Sequence, residues 1–392
     1  MLNLQSAPTL SLYIHTPWCV RKCPYCDFNS HTIKDELPEE QYLQALLSDL
    51  EQDLPRVWGR RVQSIFIGGG TPSVLSADFY DRLFSALRAL LMINANAEIT
   101  MEANPGTTDY ARFRGFRDVG INRLSMGVQS FDDQHLKALG RIHNADEVLK
   151  AFEAARQAGF TNINLDLMFG LPAQIVQQGL SDIEQALRLQ PEHLSYYQLT
   201  IEPNTLFHAQ PPALPEDDKI WEIQHEAQQQ MADAGFNQYE VSAYAKPKHQ
   251  CLHNCNYWEF GDYLGIGAGA HSKLTDVNQQ KIQRFIKEKH PREYLNKAAQ
   301  SGVIISEQVL SRNDLAIEFM MNAFRLSEGF PVTLFTERTG LPITVVGEPL
   351  QQAEHQGLIE WTLESIRPTE KGKWFLNDLL TLFLKNDVSE IA

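Results

Sequence analysis

The chain has 392 residues, 43% of them apolar, enough for a large core and for two or three domains. Its 49 acidic and 34 basic residues give a net charge of −15, which argues against a nucleic-acid partner while leaving room for a local basic pocket. Residues 1–10, MLNLQSAPTL, lack the charged region and long apolar run of a signal peptide, and no apolar run reaches bilayer length. A cytoplasmic protein that does not itself span a membrane is expected.

In chain order, predicted strands and helices alternate. A strand at 10–16 precedes a helix at 39–54. Strand 64–67 precedes helix 77–91, strand 98–103 precedes helix 110–119, and strand 123–129 precedes helices at 133–139 and 145–158. Strand 162–169 precedes helix 175–189, and strand 193–200 precedes a long helix at 217–234. Six such units imply a parallel sheet with helical crossovers, without separating an open sheet from a barrel. Residues 276–300 are polar and charged and read as a linker or exposed helix between domains at 1–275 and 301–392. In the second domain, helices at 314–324, 331–339 and 344–356 (the last interrupted near Pro349) precede a hairpin of 357–361 with 365–369 and a final helix at 371–384. Three helices and a hairpin look like a winged-helix-type module. Its acidic character predicts packing on the first domain or a partner rather than on DNA.

The segment Cys19-Val20-Arg21-Lys22-Cys23-Pro24-Tyr25-Cys26 places three thiols at C-x3-C-x2-C spacing just after the first strand. Three is one fewer than a closed site takes. A [4Fe–4S] cluster on three cysteines keeps one iron open, and an open metal position is what chemistry requires. The competing reading is structural zinc with His15 or His31 as fourth ligand, although zinc sites commonly use two separated C-x2-C pairs. Cys251 and Cys255 form a second local pair, so the five cysteines make no dispersed disulfide framework. Ile67-Gly68-Gly69-Gly70-Thr71-Pro72 closes the second strand, and its glycines let backbone approach a ligand closely; a tight turn is the plain alternative. Glu102 and Asp166 stand at predicted strand ends, where ligand contact competes with helix capping or a salt bridge. His249, Cys251, His253 and Cys255 alternate, so on a strand they would share a face and could gather an adventitious zinc ion.

The cysteine loop after a strand, with the glycine motif downstream, resembles the radical S-adenosylmethionine (SAM) superfamily. That resemblance implies an α/β fold: a partial (β/α)6 TIM-type barrel, here with a small C-terminal α+β, winged-helix-like domain. It also implies a site at the C-terminal ends of the strands, where Cys19, Cys23 and Cys26 hold a [4Fe–4S] cluster whose fourth iron SAM chelates. The stretches LYIHTPWC, GGGTPS, EANPGT, RLSMGVQSF, GRIHN and NLDLMFGLP look like the coproporphyrinogen oxidase and haem chaperone branch, over most of residues 10–272. Matched motif by motif, Tyr13 and Tyr25 border the cluster, and Gly69, Gly70 and Thr71 line SAM. Glu102 accepts a hydrogen bond from SAM, while Gln129, Arg141 and Asp166 are further contacts. Arg141's planar fork suits a carboxylate.

Two departures choose within the branch. The oxidases continue the triad to a fourth cysteine, where this chain has Phe28, and they carry a longer segment before the first strand. Both features resemble the HemW-type haem chaperones, as does His253-Asn254-Cys255-Asn256-Tyr257-Trp258, a match to HNxxYW. The resemblance implies haem binding, with His253 as iron ligand and Tyr257 and Trp258 as flat apolar surface. His271, in the flexible run 265–271, is a second ligand candidate, and a satisfied core histidine is the plain reading of His253. It implies delivery of haem to an acceptor protein, membrane-associated or not. The alternative is an oxygen-independent coproporphyrinogen III oxidase that decarboxylates porphyrinogen propionates. The missing cysteine favours the chaperone, and no catalytic residue is assigned.

Overall fold

The computed structural model describes residues 2–300 and 302–384. Six strands run parallel and side by side in chain order: β1 (Leu10–Thr16), β2 (Arg61–Gly69), β3 (Met92–Ala103), β4 (Arg123–Gln129), β5 (Ile163–Phe169) and β6 (His193–Gln198). Strands β1, β4 and β5 are buried on both faces, as parallel strands covered by helices must be. The crossover helices are amphipathic, and three of those described start on side-chain caps. Ser76 accepts from Phe79 N, Asp109 from Arg112 N, and Asn144 closes a capping box with Glu147. Their apolar faces and the strands form one core.

After β6 the pattern changes. Strands β7 (Asn237–Glu240) and β8 (Ala243–Ala245) fold back, with β8 antiparallel on β6. A short helix, Leu252–Trp258, then leads to the opposite edge. There β9 (Asp262–Ile266) pairs parallel with β1, and β10 (His271–Asp276), β11 (Lys281–Lys287) and β12 (Ile304–Val309) add antiparallel. Among the described residues the sheet therefore has twelve strands, with the six-stranded half barrel at its centre.

Three expectations are corrected. Residues 276–300 are neither linker nor exposed helix. They contain β11, paired on both sides, and the helix Pro291–Ala298, whose Tyr294 is fully buried. The charged residues misled: Lys287 is 1% exposed in a side-chain ion pair with Asp49 and Asp53 of the helix Glu39–Val57. Leu252–Trp258 is a helix with Cys251 as its N-cap, so His249, Cys251, His253 and Cys255 share no strand face. The expected helix at 371–384 is two, Glu370–Trp374 and Leu376–Leu384.

The C-terminal region has helices Arg312–Ala323, Val332–Thr339 and Gly347–His355, and a hairpin of Ile359–Trp361 with Ser365–Pro368. Its core of Leu315, Phe319, Phe335 and Leu379 is continuous with Phe260 and Ile282 beside the large sheet. Of the expected second domain, residues 385–392 lie outside the described residues. Among the described residues no helix is long and apolar enough to cross a membrane.

Candidate functional site

Pairing register brings the chemistry-bearing residues to one end of the half barrel. Thr16 of β1 is opposite Gly69 of β2, Glu102 of β3 is opposite Ser125 of β4, and Gly127 of β4 is opposite Asp166 of β5. A cavity of about 410 Å³ opens there. Cys19, Cys23 and Cys26, all half-buried, line it.

The cysteine loop is fastened at several points. The short strands Trp18–Cys19 and His31–Thr32 pair across its base. Phe207 N donates to Pro24 O at 2.9 Å, and the Tyr25 ring lies 6.4 Å from that of Phe207. Gly140 adopts φ +69°, and a Cβ there would lie 2.8 Å from Pro24, so glycine is required for this approach. The adjoining Arg141 thereby reaches the loop and donates to Cys23 Sγ at 3.6 Å. Thr71 Oγ1 donates to Cys19 Sγ at 3.4 Å. Burial pushes the Cys19 and Cys26 thiols up. A metal that binds thiolates opposes that shift. Among the described residues no three His, Cys, Asp or Glu side chains gather as one ion requires, which leaves both zinc readings without a ligand set. A four-iron cluster takes each thiolate on a separate iron, and three spaced thiols around a cavity suit it.

The walls outside the cysteine loop carry three acids, Glu102, Asp166 and Glu240, the last paired with Arg325 at 3.2 Å, and one cation, Arg141. Glu102 accepts from Gly69 N at 3.1 Å, and burial, then the Asp166 charge, push its carboxyl up to about 8. Asp166 accepts from Ser125 Oγ at 3.0 Å and Asn164 Nδ2 at 2.8 Å, and burial raises it too. Arg141 donates to Gly127 O at 2.6 Å, while its buried Nε has no partner. Gln129 ends β4 at φ +73° and accepts from Tyr197 OH at 2.7 Å. Two buried acids beside one guanidinium are a setting for a ligand with cationic and carboxylate ends. Gly69 and Gly70 have reasons of their own. Gly69 sits at φ +109° with a hypothetical Cβ 2.5 Å from the His15 ring, and that of Gly70 would meet Trp18 O at 2.4 Å.

Of the expected residues, Tyr25, Gly69, Gly70, Thr71, Glu102, Gln129, Arg141 and Asp166 all line this cavity with the three cysteines. Tyr13 does not. Three residues short of the β1 end, it hydrogen-bonds His15 Nδ1 at 3.0 Å and lines a second cavity of about 830 Å³. The two cavities share Lys22, Phe28, Ser30, Gly69 and Glu102. The helix Leu252–Trp258 stands at both, with Asn254 and Trp258 at the smaller and Tyr257 at the larger.

His253 is the main departure from expectation. It is 1% exposed and lines neither cavity. Its Nδ1 lies 3.2 Å from Ser64 Oγ, its Nε2 3.1 Å from Tyr257 OH, and burial lowers it to about 3. A neutral imidazole with both nitrogens engaged is a core group that orients Tyr257, so the ligand expectation for His253 is not met here. His271, in contrast, is exposed at the larger cavity. Sequence reasoning missed Ser125, Asn164 and Tyr197, which hold Asp166 and Gln129: Ser125 reaches Asp166 from the neighbouring β4, Tyr197 reaches Gln129 from β6 two strands away, and Asn164 precedes Asp166 by two residues on β5 itself. It also missed Tyr263, 4.5 Å from the Tyr257 ring, which follows the buried Asp262 at the start of β9.

A half barrel with three cysteines, a glycine turn and paired acids at its C-terminal end defines a radical SAM protein. The sequence profile of the Radical SAM superfamily matches residues 13–184, and that of the HemN C-terminal domain matches 310–375. The chain is 50% identical over 377 residues to Heme chaperone HemW of Escherichia coli (strain K12), covering 96% of this chain and 98% of that one. It is 49% identical over 384 residues to Heme chaperone HemW of Haemophilus influenzae, covering 97% and 99%, and 32% identical over 381 residues to that of Bacillus subtilis (strain 168), covering 95% and 99%. The fold matches coproporphyrinogen III oxidase (HemN) from Escherichia coli, a radical SAM enzyme, with a TM-score of 0.81 at 24% identity over 96% of this chain and 90% of that one. The chain belongs to the HemW family within the radical SAM superfamily.

Proposed function

We propose that this protein is a haem chaperone, binding haem beside a SAM-coordinated [4Fe–4S] cluster and passing it to an acceptor protein in the cytoplasm or at a membrane surface. The observation that carries the reading is the pair of adjoining cavities, one thiol-lined and one large and aromatic, in a chain alike over nearly its whole length to proteins named haem chaperones. Cys19, Cys23 and Cys26 would hold the cluster, which supplies one electron to a bound sulfonium when reduced. Glu102 and Asp166 would take the cationic end of SAM, and Arg141 would face its carboxylate. The larger cavity falls within the range of about 300–1,000 Å³ usual for small-molecule sites. Phe28, 62% exposed, stands in the shared wall where the oxidases have a further thiol, and a phenyl ring cannot replace a thiolate. The test is anaerobic incubation of the cluster-loaded protein with SAM, a reductant and coproporphyrinogen III. The expected result is no decarboxylated product; sustained turnover would replace the chaperone reading with the oxidase one.

A further inference from the structure

We infer that His271 is the protein ligand to haem iron in the larger cavity, with Lys22 and Lys289 receiving the propionates; this rests on the haem-binding reading above. Imidazole is a common haem ligand, and a usable one needs a free nitrogen. Three histidines line the cavity: His15, His31 and His271. His15 is engaged at both nitrogens, by Asn29 O at 2.8 Å and Tyr13 OH at 3.0 Å. His31 Nε2 has no partner among the described residues but is buried, out of reach of a ligand, and its ring packs 5.3 Å from that of His290. His271 is exposed to the cavity, and among the described residues no protein group hydrogen-bonds its ring.

The mount of His271 is rigid. It opens β10 opposite Ile286 of β11. The loop before it is fixed at three consecutive residues: Gly267 N donates to Asp49 Oδ2 at 3.1 Å, Ala268 O accepts from Asn29 Nδ2 at 2.9 Å, and Gly269 N donates to Glu288 O at 2.7 Å. A ligand carried on a strand end with a pinned approach holds its geometry better than one on a free loop. Asn29 also donates to Lys289 O at 2.9 Å, so the cysteine loop clasps both the ligand's loop and one of the cations.

The other walls suit a planar, dianionic macrocycle. Tyr257 and Tyr263 meet edge to face at 4.5 Å and present aromatic surface. Lys22 Nζ donates to the Phe28 and Ser30 carbonyls at 3.0 and 3.4 Å, and among the described residues neither Lys22 nor Lys289 makes an ion pair. Asp27 and Glu202 also reach the wall, so the two lysines act as local anchors rather than as a basic surface. Lys22 lies between Cys19 and Cys23, which places one propionate anchor in the cluster loop itself.

The experiment titrates cluster-loaded protein anaerobically with ferric haem and, separately, with metal-free protoporphyrin IX. Variants are His271→Ala, His271→Gln, His253→Ala and the double change Lys22→Gln with Lys289→Gln; iron content and circular dichroism confirm that each is folded. The inference expects both His271 variants to shift the Soret band and weaken haem about tenfold or more, with protoporphyrin affinity unchanged. Added imidazole restores the wild-type Soret band in His271→Ala. His253→Ala keeps that band, and the double lysine variant weakens both porphyrins without moving it. An unshifted Soret band in both His271 variants overturns the ligand assignment, and undiminished affinity in the double variant overturns the propionate assignment. Wild-type protein that binds neither porphyrin fails at the earlier step and removes the haem-binding reading itself.

Discussion

With SAM held as proposed, the raised carboxyl of Glu102 would make SAM binding depend on pH. In the free protein burial and the Asp166 charge push it up to about 8. A cationic ligand beside it favours the ionised form, so its pKa falls on binding and a proton leaves. With a pKa near 8, about one-tenth of the sites are ionised at pH 7 and about one-hundredth at pH 6, and ionising the group costs about 1.4 kcal/mol for each pH unit below its pKa. SAM affinity should therefore rise about tenfold from pH 6 to 7 and level off above pH 8, with about 0.9 proton released per SAM at pH 7. The ligand's own amino group titrates as well, so the comparison is with Glu102→Gln, where that contribution is unchanged. Anaerobic calorimetry of cluster-loaded protein in two buffers of different ionisation heat measures both quantities. The variant should lose affinity at pH 8 and lose the Glu102 share of the pH slope. Identical slopes in wild type and variant would refute the reasoning.

Alanine at Cys19, Cys23 or Cys26 should sharply lower the iron and sulfide content of reconstituted protein, whereas alanine at Cys251 or Cys255, which lie outside the thiol-lined cavity, should not; cluster loss in Cys251→Ala would contradict the ligand assignment. Gly69→Ala should destabilise by about 1–2 kcal/mol for the left-handed backbone alone, and by more through contact with His15, whose ring is held at both nitrogens; an unchanged melting temperature would show that the turn can relax. Lys287→Met should leave Asp49 and Asp53 buried without their cation, lowering stability by about 3–5 kcal/mol in a denaturant melt, and a loss under about 1 kcal/mol would mean the pair is silent.

What could be read from the sequence was local. The C-x3-C-x2-C loop and the glycine turn each lie within eight residues, and the strand–helix alternation is a matter of period. Both were legible, as was Glu102 near the end of β3; Asp166, expected at a strand end, stands in the middle of β5. Long-range compensation was not. Lys287 reads as a solvated charge until Asp49 and Asp53, more than 230 residues earlier, are packed against it. The HNxxYW segment misled for a different reason. Alternating His and Cys would share a face on a strand, but Leu252–Trp258 is a short helix, preceded by Cys251, whose N donates to Tyr239 OH at 3.2 Å. That helix puts His253 inward between Ser64 and Tyr257, and only the fold reveals that Tyr257 faces the larger cavity while His253 does not.

The central claim, that the chain carries haem, is tested most directly by equilibrium titration of anaerobically reconstituted protein with haem, followed in the Soret region. The account predicts saturable binding of one haem per chain with a ligated-haem spectrum, retained when the cluster is present. A featureless titration, indistinguishable from free haem in buffer, would contradict it and leave only the fold and family.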